Sequence, residues 1–160
     1  MNARLASCEV QIATEPTDEL LDAFARLLPQ LSNSAKPLDK ARLDKILRSS
    51  CNTLLVAREA SSGRIVGALT LVTFHIPTGL RALIEDVVVD SAVRGRGVGE
   101  ALTRKAVQLA LQLQVKSIDL TSRQSRQAAH RLYEKVGFVV RETSVYRYTE
   151  HPNKVVGEAD

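Results

Sequence analysis

The segment EDVVVDSAVRGRGVGEALTRKA, residues 85–106, constrains the fold more than any other part of the chain. A stiff β-branched run, Val87, Val88 and Val89, passes through a short polar stretch into a glycine loop and directly into a helix. Val98, Leu102, Ala106, Leu109 and Leu113 recur at three- and four-residue spacing, which predicts an amphipathic helix over residues 97–114. Glycines at 95, 97 and 99 let backbone N–H groups turn toward an anion, and the helix start adds unpaired donors with a partial positive charge. A strand followed by such a loop and helix is built to cradle a phosphate or pyrophosphate.

The flanking elements decide what kind of sheet receives this unit. Residues 8–14 alternate like a half-buried strand, and Thr17 can cap a helix with Leu20, Phe24, Leu27, Leu28 and Leu31 on one face, limited by Pro29. Residues 38–48 read as a shorter helix. Residues 52–59 and 65–74 are strands joined by the hairpin chemistry of Ser61-Ser62-Gly63, and residues 81–89 form a third strand after Pro77-Thr78-Gly79. After the glycine loop come a strand at 117–120, a helix capped by Ser125 and closed by Gly137, and a final strand at 138–148. The expected fold is an α/β (α+β) sandwich. Its mixed sheet is mostly antiparallel and has a late β-α-β crossover. With no repeat and no linker, residues 1–150 read as one domain and 151–160 as a polar tail.

Charge placement narrows the ligand. Residues 94–135 carry nine basic and three acidic side chains, while the whole chain has a net charge of only +4. A compact basic centre in an otherwise slightly acidic chain suits a small polyphosphate better than a duplex, and with 4% aromatic residues and no Trp there is little to stack single-stranded bases. Nucleic acid is therefore not an expected partner. No apolar run is long enough to span a bilayer, and Cys8 and Cys51 supply neither a disulfide framework nor a zinc cluster. The expectation is a cytoplasmic protein without membrane association or metal.

Spacing excludes the commonest phosphate loops. No Lys-Ser or Lys-Thr follows the glycines, as a Walker A loop requires. The dinucleotide fingerprint needs G-x-G-x-x-G after the first strand of a βαβ domain, whereas this loop reads G-x-G-x-G after three strands and two helices. Asp119 mimics the ribose-binding acid in spacing alone.

Arg94, Arg96, Gly97 and Gly99, read as R-x-x-G-x-G after EDVVVD and before EAL, resemble the acetyl-CoA loop of the GNAT superfamily of N-acetyltransferases. Residues 126–138, RQAAHRLYEKVGF, resemble that superfamily's A-x-x-x-Y-x-x-x-G-F segment through Ala129, Tyr133, Gly137 and Phe138. The resemblance is specific over residues 65–148. One departure is Arg126, with Ser125 beside it, where many members have Asn seven residues before the tyrosine.

This resemblance implies that the backbone of Val87, Val88 and Val89 pairs with the pantetheine arm of acetyl-CoA. It implies that the amides of Arg94, Gly95, Arg96, Gly97, Val98 and Gly99 hold the pyrophosphate, and that Ser125 or Arg126 supplies a polar contact. Acetyl transfer to a primary amine needs a base, a polarised carbonyl and a proton for the departing thiolate. By resemblance, Glu85 is the direct or water-mediated base and Tyr133 the general acid. A backbone N–H near Val88 is the candidate to polarise the carbonyl. Strand alternation places Glu85 and Asp86 on opposite faces, so only one of them should reach the site. His75 is the alternative base, and His130 reads as solvated. The acceptor is a small-molecule or protein amine, walled by residues 32–37 and 141–147. The competing function is an acyl-CoA-binding or sensing module without catalysis, and the terminal strand suggests a homodimer.

Overall fold

The computed structural model describes residues 8–148. Five strands, β1 (Cys8–Ile12), β2 (Asn52–Glu59), β3 (Ile65–Ile76), β4 (Gly79–Val89) and β5 (Ser117–Leu120), lie in one sheet in chain order. The first four are antiparallel; β4 and β5 are parallel, joined through helix α3 (Val98–Gln112). The mixed sheet with a late crossover is therefore observed. Helices α1 (Asp18–Leu31) and α2 (Lys40–Arg48) precede β2, and α4 (Gln127–Val136) follows β5.

Two apolar clusters sandwich the sheet. Leu20, Ala23, Phe24 and Leu27 of α1 and Leu43 of α2 pack with Leu54, Val56, Ile65, Ala68 and Val88. Val98, Leu102, Ala106 and Ala110 of α3 pack with Leu55, Ala57, Leu69, Leu71, Ala82 and Ile84. Leu54 to Ala57 are all buried because successive side chains serve opposite clusters, which is why β2 reads as a continuous apolar run.

Local chemistry accounts for most boundaries. Thr17 Oγ1 accepts from Leu20 N at 3.2 Å and Asp39 Oδ1 from Arg42 N at 2.7 Å, so α1 and α2 begin with side-chain caps. Helix α1 runs two residues past Pro29 rather than ending there. A proline removes one N–H, but the helix is held from outside by its buried face.

Two sequence expectations fail. Residues 138–148 form no strand: β5 has no second partner among the described residues, and Val139, Val140, Val145, Tyr146 and Tyr148 are exposed. Alternating β-formers make a strand only where a neighbour supplies the ladder. Ser125 does not cap α4 either; the N-cap is Arg126, without a side-chain cap bond. The expected tail at residues 151–160 lies outside the described residues.

Candidate active site

The site is created where two parallel strands part. The β4–β5 ladder runs from Arg81↔Ser117 to Ile84↔Leu120, and β5 ends there while β4 continues to Val89. On its other side β4 remains paired with β3 through Ala68↔Val88 and Gly67↔Val89. The edge of residues 85–89 is thus held rigid on one side and free of β5 on the other, which suits a ligand that binds as an added strand. A cleft of about 370 Å³ opens at this point, floored by Ile84 and Leu120.

Glu85 and Asp86 both line this cleft, contrary to strand alternation. The β3 pairing jumps from Thr70↔Glu85 to Ala68↔Val88, so Asp86 and Val87 together oppose Leu69. Such a bulge cancels the alternation for one residue. Asp86 takes φ 51°, a left-handed conformation that Asp tolerates better than most side chains. Desolvation in the cleft, followed by repulsion from Asp86, raises the Glu85 pKa above the ordinary glutamate value. Glu85 is thereby moved toward the range of a useful general base.

Tyr133 comes to the same cleft from α4. Its ring meets Phe138 edge-on at 6.1 Å and 68°, a contact that fixes the ring. No hydrogen bond to its hydroxyl is found among the described residues. Burial raises the Tyr133 pKa, partly opposed by the Arg126 guanidinium, so the phenol keeps its proton. Arg126 also lines the cleft and reaches the Leu31 carbonyl at 3.5 Å, whereas Ser125 is exposed in the preceding loop and does not line it. Arg123 and Arg147 complete a cationic rim. Arg123 was legible only as one charge of the basic region. Of the expected acceptor walls, 141–147 contributes Val145 and Arg147 and 32–37 contributes nothing, Leu31 lining the cleft from α1 instead; His75 does not line it.

The glycine loop lies at the far end of the free β4 edge. Gly95 and Gly97 have φ 75° and 84°, so both occupy backbone conformations that disfavour a Cβ, and a Cβ at Gly95 would project into open space. Gly97 is the N-cap of α3 and offers no side-chain cap, unlike Thr17 and Asp39. The N–H groups of the first turn of α3 are therefore left for a ligand, and an anion satisfies them best. Gly99 has a different task. It is buried inside α3, and a Cβ there would come within 2.9 Å of Leu132 Cδ1 of α4. Its missing side chain lets α4, and Tyr133 with it, pack against α3, a role beyond the one expected for its amide. Among the described residues, no group of three or more His, Cys, Asp or Glu could hold a metal ion.

A rigid strand edge leads from paired carboxylates to an uncapped helix start, an arrangement suited to an extended ligand with an anionic end. The Acetyltransferase (GNAT) family model matches residues 17–138, and the chain belongs to this family. It is 37% identical over 94 residues to glucosamine 6-phosphate N-acetyltransferase 1 of Oryza sativa subsp. japonica, a match covering 54% of this chain and 57% of that protein. The chain thus spans little more than half the length of that curated relative. A protein of Agrobacterium tumefaciens strain C58 assigned as an acetyltransferase superposes with a TM-score of 0.78 at 28% identity, covering 88% of this chain and 99% of that one. A Trypanosoma brucei acetyltransferase superposes at 0.74, also with 28% identity, covering 89% and 100%.

Proposed function

We propose that this protein transfers the acetyl group of acetyl-CoA to a primary amine by direct attack. The observation that carries the reading is the convergence of Glu85 and Tyr133 on one cleft beside the free β4 edge. In this reading the backbone of Val87, Val88 and Val89 holds the pantetheine arm, and the amides from Arg94 to Gly99 receive the pyrophosphate. Glu85 takes a proton from the acceptor ammonium, directly or through water. The free amine attacks the thioester carbonyl, the C–N bond forms, and collapse of the tetrahedral intermediate breaks the C–S bond. Tyr133 delivers its proton to the departing thiolate, and the proton that the amide nitrogen sheds returns through water to the phenolate.

The acceptor is best read as a small amine that also bears an anionic group. Glu85 and Asp86 attract an ammonium, while Arg123 and Arg147, which line the same cleft, are partners for a phosphate or carboxylate. Similarity to a glucosamine 6-phosphate N-acetyltransferase supports amino-sugar phosphates as the first acceptors to try. A thiol-release assay with acetyl-CoA tests the proposal on a panel pairing each phosphorylated amine with its unphosphorylated form. Turnover preferring the phosphorylated member is expected. CoA binding without turnover on any amine would instead support a binding or sensing module.

We infer further that the chain works as a cytoplasmic homodimer. Val139, Val140, Val145, Tyr146 and Tyr148 are exposed in a segment that Arg141 ties to Asp119 of β5 at 3.8 Å, the outer edge of β5 is unpaired among the described residues, and a second copy could cover both. Free Cys8 and Cys51 suit a reducing compartment. Light scattering at tens of micromolar should give twice the chain mass, and Val145→Lys should give monomer; a parental monomer rejects the assembly alone.

A further inference from the structure

The phosphate loop is tied to α1 by side chains that the chemistry above does not use. Arg26 Nη1 meets Asp90 Oδ2 at 2.9 Å, and Arg26 Nη2 reaches the Ile65 carbonyl at 3.0 Å. Asp90 is buried at the exit of β4, and its second oxygen accepts from Ala92 N at 3.1 Å. One turn further along α1, Gln30 Oε1 accepts from Ser91 N at 2.8 Å and stands 3.5 Å from Arg94 Nη2. Gln30 Nε2 donates to the Arg26 carbonyl at 3.1 Å, which orients the amide so that its oxygen faces the loop. Arg94 Nε in turn holds the Val89 carbonyl at 3.2 Å.

These contacts fix the chain where it leaves the rigid β4 edge and enters two left-handed glycines. Such glycines have wide conformational freedom, so their geometry depends on what anchors the ends of the loop. One end is the N-terminus of α3. The other is the segment of residues 90–94, which α1 grips.

We propose that Gln30 and Arg26 are positioning residues for the anion-binding loop, holding residues 90–94 so that the glycine turn and Arg94 present their donors to the pyrophosphate of the cofactor. This rests on the reading of residues 94–99 as the cofactor's anion site. Gln30 acts through the Ser91 N–H and Arg94, and Arg26 acts through Asp90. Arg64 Nη2, 3.9 Å from Asp90 Oδ2, is the other cation facing that carboxylate. Because Leu31, next in α1 after Gln30, lines the acceptor cleft, one helix touches both substrates' sites.

The test compares CoA with acetyl-pantetheine, which lacks the pyrophosphate, by calorimetry and steady-state kinetics. Gln30→Met keeps the length of the side chain and removes the acceptor. It should raise Kd for CoA and KM for acetyl-CoA about tenfold, the scale of one lost hydrogen bond to a preorganised site, with kcat and the acceptor KM nearly unchanged. Acetyl-pantetheine should be used as well by the variant as by the parent. Arg26→Lys retains a charge for Asp90 but cannot fork to the Ile65 carbonyl, and should show the same split at smaller amplitude. Equal weakening toward both thioesters would show general loosening and overturn the proposal. Unchanged CoA affinity in Gln30→Met would overturn it alone, whereas a parent that binds no CoA overturns the functional reading with it.

Discussion

The two walls of the cleft are built to different standards. The β4 wall is paired with β3 on both sides of its bulge and has Ala82, Ile84 and Val88 buried, each serving a core cluster. The α4 wall contains no fully buried residue. It leans on α3 through the close approach of Leu132 to Gly99 and through Glu100, whose carboxylate meets Arg104 Nε at 2.9 Å and Lys135 Nζ at 2.6 Å. Glu85, the proposed base, is thus set in the sheet, while Tyr133, the proposed acid, rides on a helix docked at a few points. A bulge fixes Glu85 by backbone geometry; packing between two helices fixes Tyr133. The contrast predicts that changes to the β4 wall alter chemistry with little loss of stability, whereas changes behind α4 alter both.

The largest expected effect falls on the α4 wall's reacting group. Tyr133→Phe keeps the ring and its edge contact with Phe138, so stability should hold while turnover falls by about 10² to 10⁴ with cofactor affinity nearly unchanged. A folded variant with parental turnover would reduce Tyr133 to a packing residue. On the opposite wall, Glu85→Gln should cost about 10² in kcat/KM and remove the acidic limb of its pH profile. The sign follows from the raised pKa. Ionised Glu85 is the active form, so activity should fall on acidification at a pH above the ordinary glutamate range. Asp86→Asn removes the like charge and tolerates the same backbone, so that limb should move to lower pH.

The next effect sharpens the difference in construction. Gly99→Val should destabilise the protein by about 1 to 3 kcal/mol, because a side chain there must displace Leu132, and kcat should fall as Tyr133 shifts with α4. Denaturant unfolding and kinetics on one sample check both. An unchanged midpoint would mean that α4 docks without this contact. The smallest effect is expected from Glu100→Gln, which removes a surface carboxylate shared by two cations. The thermal midpoint should drop slightly, and added salt should abolish the difference from the parent.

The same contrast explains what could be read in advance. The strand, glycine turn and helix of residues 85–112 were legible because their signals are local. Val87 to Val89 are β-formers, Gly95 and Gly97 permit the turn, and the stripe from Val98 to Leu109 has the period of a helix. Thr17 was legible as a cap for the same reason. The far wall was misread wherever the outcome depended on a neighbour distant in sequence. Residues 138–148 alternate as a strand should, but no ladder receives them among the described residues. The packing role of Gly99 was hidden for the same reason, because Leu132, which lies against it, belongs to another helix.

By itself, then, the sequence determined the order of elements as far as α4 and the glycine turn, while its resemblance to the GNAT superfamily singled out Glu85 and Tyr133 as the residues proposed to move protons. Backbone propensity, glycine freedom and side-chain period act within a few residues and are written locally. Tertiary structure alone decided that Asp86 shares the face of Glu85, that β4 and β5 part after Ile84 and Leu120, and that Arg26 and Gln30 grip the loop from 61 to 64 positions away. Each of these depends on strand register or on contacts between distant segments. Register and distant packing are set when the whole sheet and both cores close together, which no short window of sequence contains.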